Sequence, residues 1–341
     1  MNSNVSIIIL NWNGWEDTIE CLESVYQIAY PSFEVIVVDN GSKDDSIQKI
    51  NDYAEGKIRI KSKFFAYSQE NKPIYVKEYS KDELETSVSI KETIKNPVSR
   101  RSIILIKSDD NYGFAEGNNI GIRFALDKLN PDYILLLNND AVVDPYMLNE
   151  LINVAEKDLQ IGILGPTVYD YRNPSEIQSA GTKIYWSKGE AINLISSENK
   201  LSDEPEEVDS VIGCALLARS ELFHKIGYLN KEYFAYLEET EWCVRAHKAS
   251  YRIVYVPKGK IWHKGGATSN KITGFTLYHY TRNKFWFMKR HSSRKEYISF
   301  LIYFFGFRMW FVIGGIFYHQ RKREMLPTFI SLLKGIRDGI T

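Results

Sequence analysis

Three short apolar runs, each ending on Asn or Asp, constrain this chain more than any other feature. They cover residues 5–10, 34–39 and 133–138, and they lead into Asn11, Asp39-Asn40 and Asn138-Asn139-Asp140. Each run is apolar on both faces of a strand. Helical patterns alternate with them over residues 15–25, 45–54, 117–129 and 145–157. A further apolar run covers 103–107. Strands buried on both sides and separated by helices predict an α/β fold with a mostly parallel sheet between helices. In such sheets ligands bind beyond the carboxyl ends of the strands. Three polar strand ends therefore predict a site before any chemistry is considered.

Composition narrows the function. The 341 residues carry 43 Lys+Arg and 43 Asp+Glu, so the net charge is zero and a strongly basic nucleic-acid binder is excluded. Cys21, Cys214 and Cys243 lack any metal-binding spacing, which favours a reducing compartment. The first apolar run is too short for a secretory signal. Residues 57–102 break the alternation with a local charge of +5. They read as an insertion, with a strand or hairpin arm at PIYVKEYS and a surface helix over 82–95. Beyond residue 160 a more mixed sheet is expected from GILGPTVYD, residues 177–186 and VDSVIGCALLAR. A polar loop follows over 196–207, then a helix over 238–249 and a strand over 251–256 closed by Pro257.

Two groups of residues could carry chemistry. Asp140 ends an open strand, and His263 sits in a Gly-rich loop downstream. One carboxylate and one imidazole on a hard divalent ion leave positions for water and diphosphate oxygens. Glu238, Glu239 and Glu241 cluster at a helix N-terminus, where the helix dipole favours the ionised form. Any of the three can take a proton from a hydroxyl nucleophile.

The segments SIIILNWNG, VIVVDNGSKDDS, NYGFAEGNNIGI, LLLNNDAVV, IGCALLAR, YLEETEWCVRAHKASYRIVYVP and WHKGGATS occur in the order seen in family 2 glycosyltransferases. Over about residues 5–285, apart from the insertion, the chain resembles the rhamnosyltransferase-like branch. The resemblance implies a GT-A fold over 1–285, with a nucleotide-binding Rossmann-like half and an acceptor half. It implies inverting transfer of rhamnose or another hexose from a nucleoside-diphosphate sugar. The acceptor would be a hydroxyl of a saccharide or lipid-linked molecule in cell-surface polysaccharide assembly. By the same resemblance Asn11 and Asp39 contact base and ribose, and Asn111, Gly113, Phe114 and Asn118 line the nucleotide pocket. Asn138-Asn139-Asp140 corresponds to the DXD element. Asp140 then binds Mg or Mn, and His263 completes the metal or diphosphate site. Glu239 stands where the family has its Asp base, with Glu238 and Glu241 as competitors. Glu238, Glu241 and Trp242 fall on the acceptor side. A UDP-hexose or N-acetylhexosamine donor, or a catalytically silent sugar-nucleotide-binding scaffold, are the alternatives.

The zero net charge conceals a polarised chain. Residues 282–341 hold 12 Lys+Arg against 3 Asp+Glu, leaving the remainder at −9. Within this tail, residues 297–318 carry one formal charge, Arg308, and ten aromatic side chains. A second amphipathic helix is expected over 327–340, with Phe329, Leu332, Leu333 and Ile336 on one face. The tail over 286–341 fits a buried helix pair, a transmembrane helix or a helix lying on the membrane. The basic flanks and interfacial aromatics favour the last, against anionic lipid at the cytoplasmic face.

Overall fold

The structure, a computed structural model, describes residues 2–86, 102–195, 203–265, 273–319 and 322–341. Its first half builds strands β1 (Val5–Asn11), β2 (Phe33–Asp39), β3 (Tyr75–Ser80), β4 (Ser102–Lys107) and β5 (Tyr133–Asn138). Helices α1 (Trp15–Val25), α2 (Ser46–Ala54), α3 (Lys81–Thr86) and α4 (Gly113–Phe124) connect them. The five strands are parallel, in the order β3-β4-β2-β1-β5. The reason lies in their side chains. Ile7, Ile9, Val35, Val37, Leu135 and Leu137 enter one core beneath α1 and α2. Ile8, Ile36, Val38, Ile134 and Leu136 enter a second core on the opposite face, beneath α4. A two-residue period that is apolar in both phases needs cover on both sides.

The segment read as an insertion contributes β3, the edge strand of this sheet. The helix expected over 82–95 is described only as α3, and the rest lies outside the described residues. The helix expected from 117 begins at Gly113 and ends in a π-helical turn, Ala125–Leu129.

The second half adds strands β6 (Ala141–Val143), β7 (Ile161–Asp170), β8 (Ile177–Ser179), β9 (Thr182–Tyr185), β10 (Glu190–Asn193), β11 (Glu206–Glu207), β12 (Ala215–Arg219) and β13 (Arg252–His263). Helices α5 (Met147–Ala155), α6 (Ser220–Ile226) and α7 (Glu238–Lys248) lie between them. β12 runs antiparallel to β5 and makes the sheet mixed, while β9 and β10 form a separate hairpin. Pro257 does not close its strand as expected. The strand continues to His263 across a register shift between Val256 and Lys260. An irregularity of this kind tolerates a residue without an N–H. His263 is therefore the last residue of β13, not a loop residue. Residues 196–202 of the expected polar loop lie outside the described residues, and Glu206–Glu207 pair with β13.

The tail comprises α8 (Phe275–His291), α9 (Arg294–Tyr303), α10 (Met309–His319) and α11 (Lys322–Ile340). A π-helical turn, Phe304–Arg308, joins α9 to α10. The position expected as the end of the catalytic body, residue 285, falls inside α8. Phe285, Met288, Phe300 and Phe304 pack with Tyr233 and Val244 of the body. α11 runs alongside α8 in the same direction, with Tyr278 Oη donating to Asp338 at 2.9 Å. It starts before Pro327, not at it. Thr328, Leu332, Gly335 and Gly339 are buried, while Leu333, expected on the same face, is exposed.

Close approach of α4 to the sheet depends on Gly121, where a Cβ would lie 2.7 Å from Ile8 Cγ2. Gly314 in α10 has nothing within 4 Å. Gly121→Val should lose about 1–3 kcal/mol to overpacking. Gly314→Ala should be neutral or stabilising by up to about 1 kcal/mol through helix propensity. Chemical denaturation of the two variants in detergent checks the contrast.

Candidate active site

Strand register puts the polar ends side by side. Asn11 pairs with Asp39 across β1 and β2, and Leu10 with Asn138 across β1 and β5. Above them opens a cavity of about 680 Å³. Asn138, Asn139, Asp140 and His263 line one side, and Glu238, Glu239 and Thr240 line another. Asn40, Asn111, Gly113 and Phe114 form a third stretch of the wall.

The Asp140 carboxylate and the His263 imidazole converge from different strands, with Oδ1 3.2 Å from Nε2. Burial alone would raise the Asp140 pKa. The hydrogen bond and charge of His263 outweigh that and hold it below the usual carboxylate range. The imidazole is oriented from behind. Gln178 Nε2 donates to the His263 carbonyl at 2.9 Å and to Asp170 at 3.0 Å. Its Oε1 therefore faces Nδ1, at 3.0 Å, as an acceptor. That places a proton on Nδ1 and turns Nε2 toward Asp140, to which it donates when the ring carries a proton on both nitrogens. Lys264 then anchors the strand end to α1 through Asp17 and Glu20, both at 2.6 Å.

The three glutamates have different fates. Glu241 faces away from the cavity, where Arg245 Nε donates to both its oxygens at 3.0 Å and His291 Nε2 lies at 3.1 Å. Burial opposes its ionisation, but those two partners bring its pKa below the ordinary value. Glu238 is buried, and its Oε2 has no hydrogen-bond partner among the described residues. Burial, then the neighbouring Glu239, raises its pKa well above normal. Glu239 is half-buried on the cavity wall, and burial raises its pKa as well. Desolvation thus outweighs the helix dipole for both cavity glutamates. Of the three, Glu239 combines access to the cavity with the smaller obstacle to ionisation.

Cys214 reports how the two ends of the site relate. Its thiol is pushed up first by burial, then by Asp140 and by Glu239, so both carboxylates act on one atom.

The wall between α7 and α8 is strained. Phe234, Tyr236 and Leu237 have φ of 62°, 73° and 68°, in the left-handed region that bulky residues avoid. Asn283 of α8 holds them, donating to the carbonyls of Tyr233, Ala235 and Tyr236 at 2.7–2.9 Å. On the other side, Phe114 N donates to the Phe234 carbonyl. Gly113 (φ 76°) admits this contact, since a Cβ there would lie 2.5 Å from the Phe234 oxygen.

Several expected residues lie elsewhere. Asn11 and Asp39 are buried beneath the cavity, and Asn11 Nδ2 donates to Asp39 Oδ2 at 2.7 Å. The adjacent Trp12 and Asn40 take their places on the wall. Asn118 is buried and donates to the Phe114 carbonyl. Trp242, expected on the acceptor side, is a core residue that stacks on Phe223 at 4.6 Å and donates to the Gly227 carbonyl. The cavity meets α7 end-on, so residues past Thr240 recede along the axis at about 1.5 Å each. Not anticipated were Gly213, the Phe234–Leu237 stretch, and Tyr280 and Phe275 of α8. The positive charge of residues 282–341 drew attention away from the start of the helix that enters them.

These environments predict opposite pH effects on stability. Glu241 has a folded pKa below its unfolded value of about 4.3. Its contribution is complete above that value and is lost as pH falls through the folded pKa. Glu241→Gln should therefore cost about 1–3 kcal/mol at pH 7 and less in acid. Glu239 has a raised folded pKa, so its ionised form opposes folding at neutral pH. Glu239→Gln should raise the melting temperature at pH 7, with the gain shrinking toward about pH 4. Thermal unfolding across pH measures both.

Two family models match the chain: glycosyl transferase family 2 over residues 6–71, and glycosyltransferase-like family 2 over residues 71–294. The chain is 27% identical over 248 residues to the low-salt glycan biosynthesis hexosyltransferase Agl10 of Haloferax volcanii, covering 70% of this chain and 78% of that relative. It is 24% identical over 175 residues to the N-acetylglucosaminyl-diphospho-decaprenol L-rhamnosyltransferase of Mycobacterium tuberculosis, covering 48% and 57%. Among solved structures it resembles the mannosyltransferase PcManGT of Pyrobaculum calidifontis, in complex with GDP-Man and Mn2+. That likeness has a TM-score of 0.57 at 14% identity and covers 99% of this chain and 87% of that one. The fold is GT-A. With its larger match extending well past half of the sequence, the chain belongs to the family 2 glycosyltransferases.

Proposed function

We propose that this glycosyltransferase moves rhamnose or another hexose from a nucleoside diphosphate to a hydroxyl of a lipid-linked saccharide, with inversion, in cell-surface polysaccharide assembly. One observation carries the reading: Asp140, His263 and Glu239 line a single cavity at the polar strand ends. A silent scaffold has no use for a half-buried carboxylate facing a carboxylate–imidazole pair across one cavity.

The donor diphosphate is assigned to the Asp140–His263 side. A divalent ion, Mg or Mn, fits there: among the described residues there is no third His, Cys, Asp or Glu ligand, so open positions remain for diphosphate oxygens. When bound, such an ion neutralises charge on the departing diphosphate. The Gln178–Asp170 relay keeps Nε2 of His263 turned toward the same point. At Glu239 the acceptor hydroxyl gives up its proton as its oxygen forms the bond to the anomeric carbon. The bond from that carbon to the diphosphate oxygen breaks on the opposite face, and no covalent enzyme intermediate is needed. A raised Glu239 pKa makes it a stronger proton acceptor once ionised. Glu238, more strongly held in its protonated form, offers a hydrogen-bond donor beside it. Phe234, Phe275 and Tyr280 provide aromatic walls for a saccharide.

We place the protein on the cytoplasmic face of a membrane. Residues 294–318 form a continuous helix with mean hydropathy 1.8, and 17% of its most apolar window is buried. Ile302, Phe307, Trp310, Phe311 and Phe317 are each more than half exposed. Soluble surfaces seldom carry so large an apolar patch. Arg308 opposes a transmembrane course and the aromatics suit an interface, so the helix lies on the bilayer. Three free, buried cysteines accord with a reducing compartment.

A nucleotide-release assay across dTDP-, UDP- and GDP-sugars, with and without Mn²⁺ or Mg²⁺, tests the donor. Release specific to dTDP-rhamnose supports the rhamnosyl reading, and release from UDP-hexoses replaces it. Asp140→Ala should abolish release with every donor. Glu239→Gln should retain donor binding yet reduce transfer to acceptor by at least about 100-fold. Near-normal transfer by Glu239→Gln would remove it as the base.

A further inference from the structure

Behind the acceptor wall lies a cluster of charges that the transfer reaction does not use. Lys284 of α8 is buried, at 4% side-chain exposure, and its Nζ lies 3.8 Å from Glu190 Oε1. Arg308 comes from the middle of the apolar helix, with Nε 3.2 Å from the same oxygen. Two cations thus share one carboxylate. Among the described residues, Glu190 is the one carboxylate paired with either of them. That pairing is poor, because Glu190 Oε1 is buried without a hydrogen-bond partner. The Lys284 ammonium, with three donors to satisfy, otherwise faces the Tyr280 ring at 4.9 Å. Lys284 is buried beside a carboxylate that it shares with Arg308, and Arg308 keeps 34% of its side chain exposed, so the cluster carries one more cation than anion at the edge of solvent, an arrangement that an incoming anion would relieve.

The position of the cluster identifies the anion. Tyr280, one helical turn before Lys284, lines the catalytic cavity. Its ring lies 4.9 Å from the Lys284 ammonium, so Tyr280 borders both the cavity that Glu239 lines and the cations. On the other side, Arg308 sits among Phe305, Phe307 and Phe311 on the exposed apolar surface. A molecule that fits all three places carries a hydroxyl at Glu239, a phosphate at the cations and a hydrocarbon chain along the helix.

We propose that Lys284 and Arg308 form a binding site for the phosphate or diphosphate group of a lipid-linked acceptor. The proposal rests on the reading of the chain as a transferase with a lipid-linked acceptor, and it assigns the group that bears the acceptor's charge. Burial, reinforced by Arg308 and only partly offset by Glu190, lowers the Lys284 pKa to about 8. A bound phosphate would raise it again. Guanidinium and ammonium together suit a phosphate ester, one by a planar fork and the other as a point charge.

The test uses the full chain in detergent, with saturating nucleoside diphosphate and Mn²⁺ so that the donor side is occupied. Binding of farnesyl diphosphate, farnesol and inorganic diphosphate is measured by calorimetry. The wild type should bind farnesyl diphosphate at least about tenfold more tightly than either of the others. Lys284→Met and Arg308→Gln should each remove about that factor for farnesyl diphosphate and leave farnesol and nucleotide binding unchanged. Glu190→Gln, which removes the competing carboxylate, should strengthen farnesyl diphosphate binding. Were the cluster a mere clasp between helix and body, Glu190→Gln would lower the melting temperature and leave binding unchanged or weaker. Equal affinity for farnesol, or unaltered binding in both cation variants, overturns the proposal. Inorganic diphosphate binding as tightly as farnesyl diphosphate overturns its lipid source. Loss of nucleotide binding in the wild type would instead count against the donor reading, so the two failures are distinct.

Discussion

The contact between Asp140 and His263 joins the two halves of the sheet. Asp140 follows β5, in the parallel half, and His263 ends β13, in the mixed half. Their 3.2 Å approach needs both strands to stop at the same level. The supporting bonds are arranged to enforce that. Lys264 N donates to the Asp140 carbonyl, and Lys264 Nζ grips α1 through two carboxylates. β6 pairs with the end of β13, placing Ala141 opposite His263. The backbone ladder, the second-layer ion pairs and the Gln178 relay all converge on one carboxylate and one imidazole. Burial alone would disfavour the Asp140 carboxylate, and its pairing with His263 offsets that cost.

Much of the parallel half could be read from residue types. A strand such as SIIIL or YILLL is apolar in both phases of the two-residue period, and that admits few alternatives to a covered parallel sheet. The strand ends were legible for the same reason, since each apolar run gives way there to Asn or Asp. What escaped was long-range and directional. Pro257 reads as a stop, but β7 on one side lets β13 absorb an irregularity and go on to His263. Residue spacing placed Trp242 near the glutamates, but spacing carries no information about which end of a helix meets a cavity. Tyr280 and Phe275 fall within the expected 1–285 body but outside every motif, so nothing in the sequence marked them for the cavity.

The glutamates show how environment separates chemically identical side chains. Glu238, Glu239 and Glu241 lie within four residues at one helix N-terminus, where the dipole treats them almost alike. Arg245 and His291 claim Glu241 for structure. Burial raises the pKa of the other two, and for the more deeply placed Glu238 the neighbouring Glu239 adds to it. One short acidic run thus provides both a structural ion pair and two carboxyl groups on the cavity wall.

α8 belongs to two structures at once. Its first turns supply Phe275 and Tyr280 to the cavity wall, and Asn283 pins the strained segment that completes that wall. Its next turns supply Phe285 and Met288 to the packing of the apolar helix. The apolar helix and this wall of the cavity are therefore joined through a single helix. A cut at residue 285 would not release a catalytic core; it would unpin the wall itself. By the same token, whatever tilts the apolar helix also reshapes the side of the cavity lined by Phe275 and Tyr280.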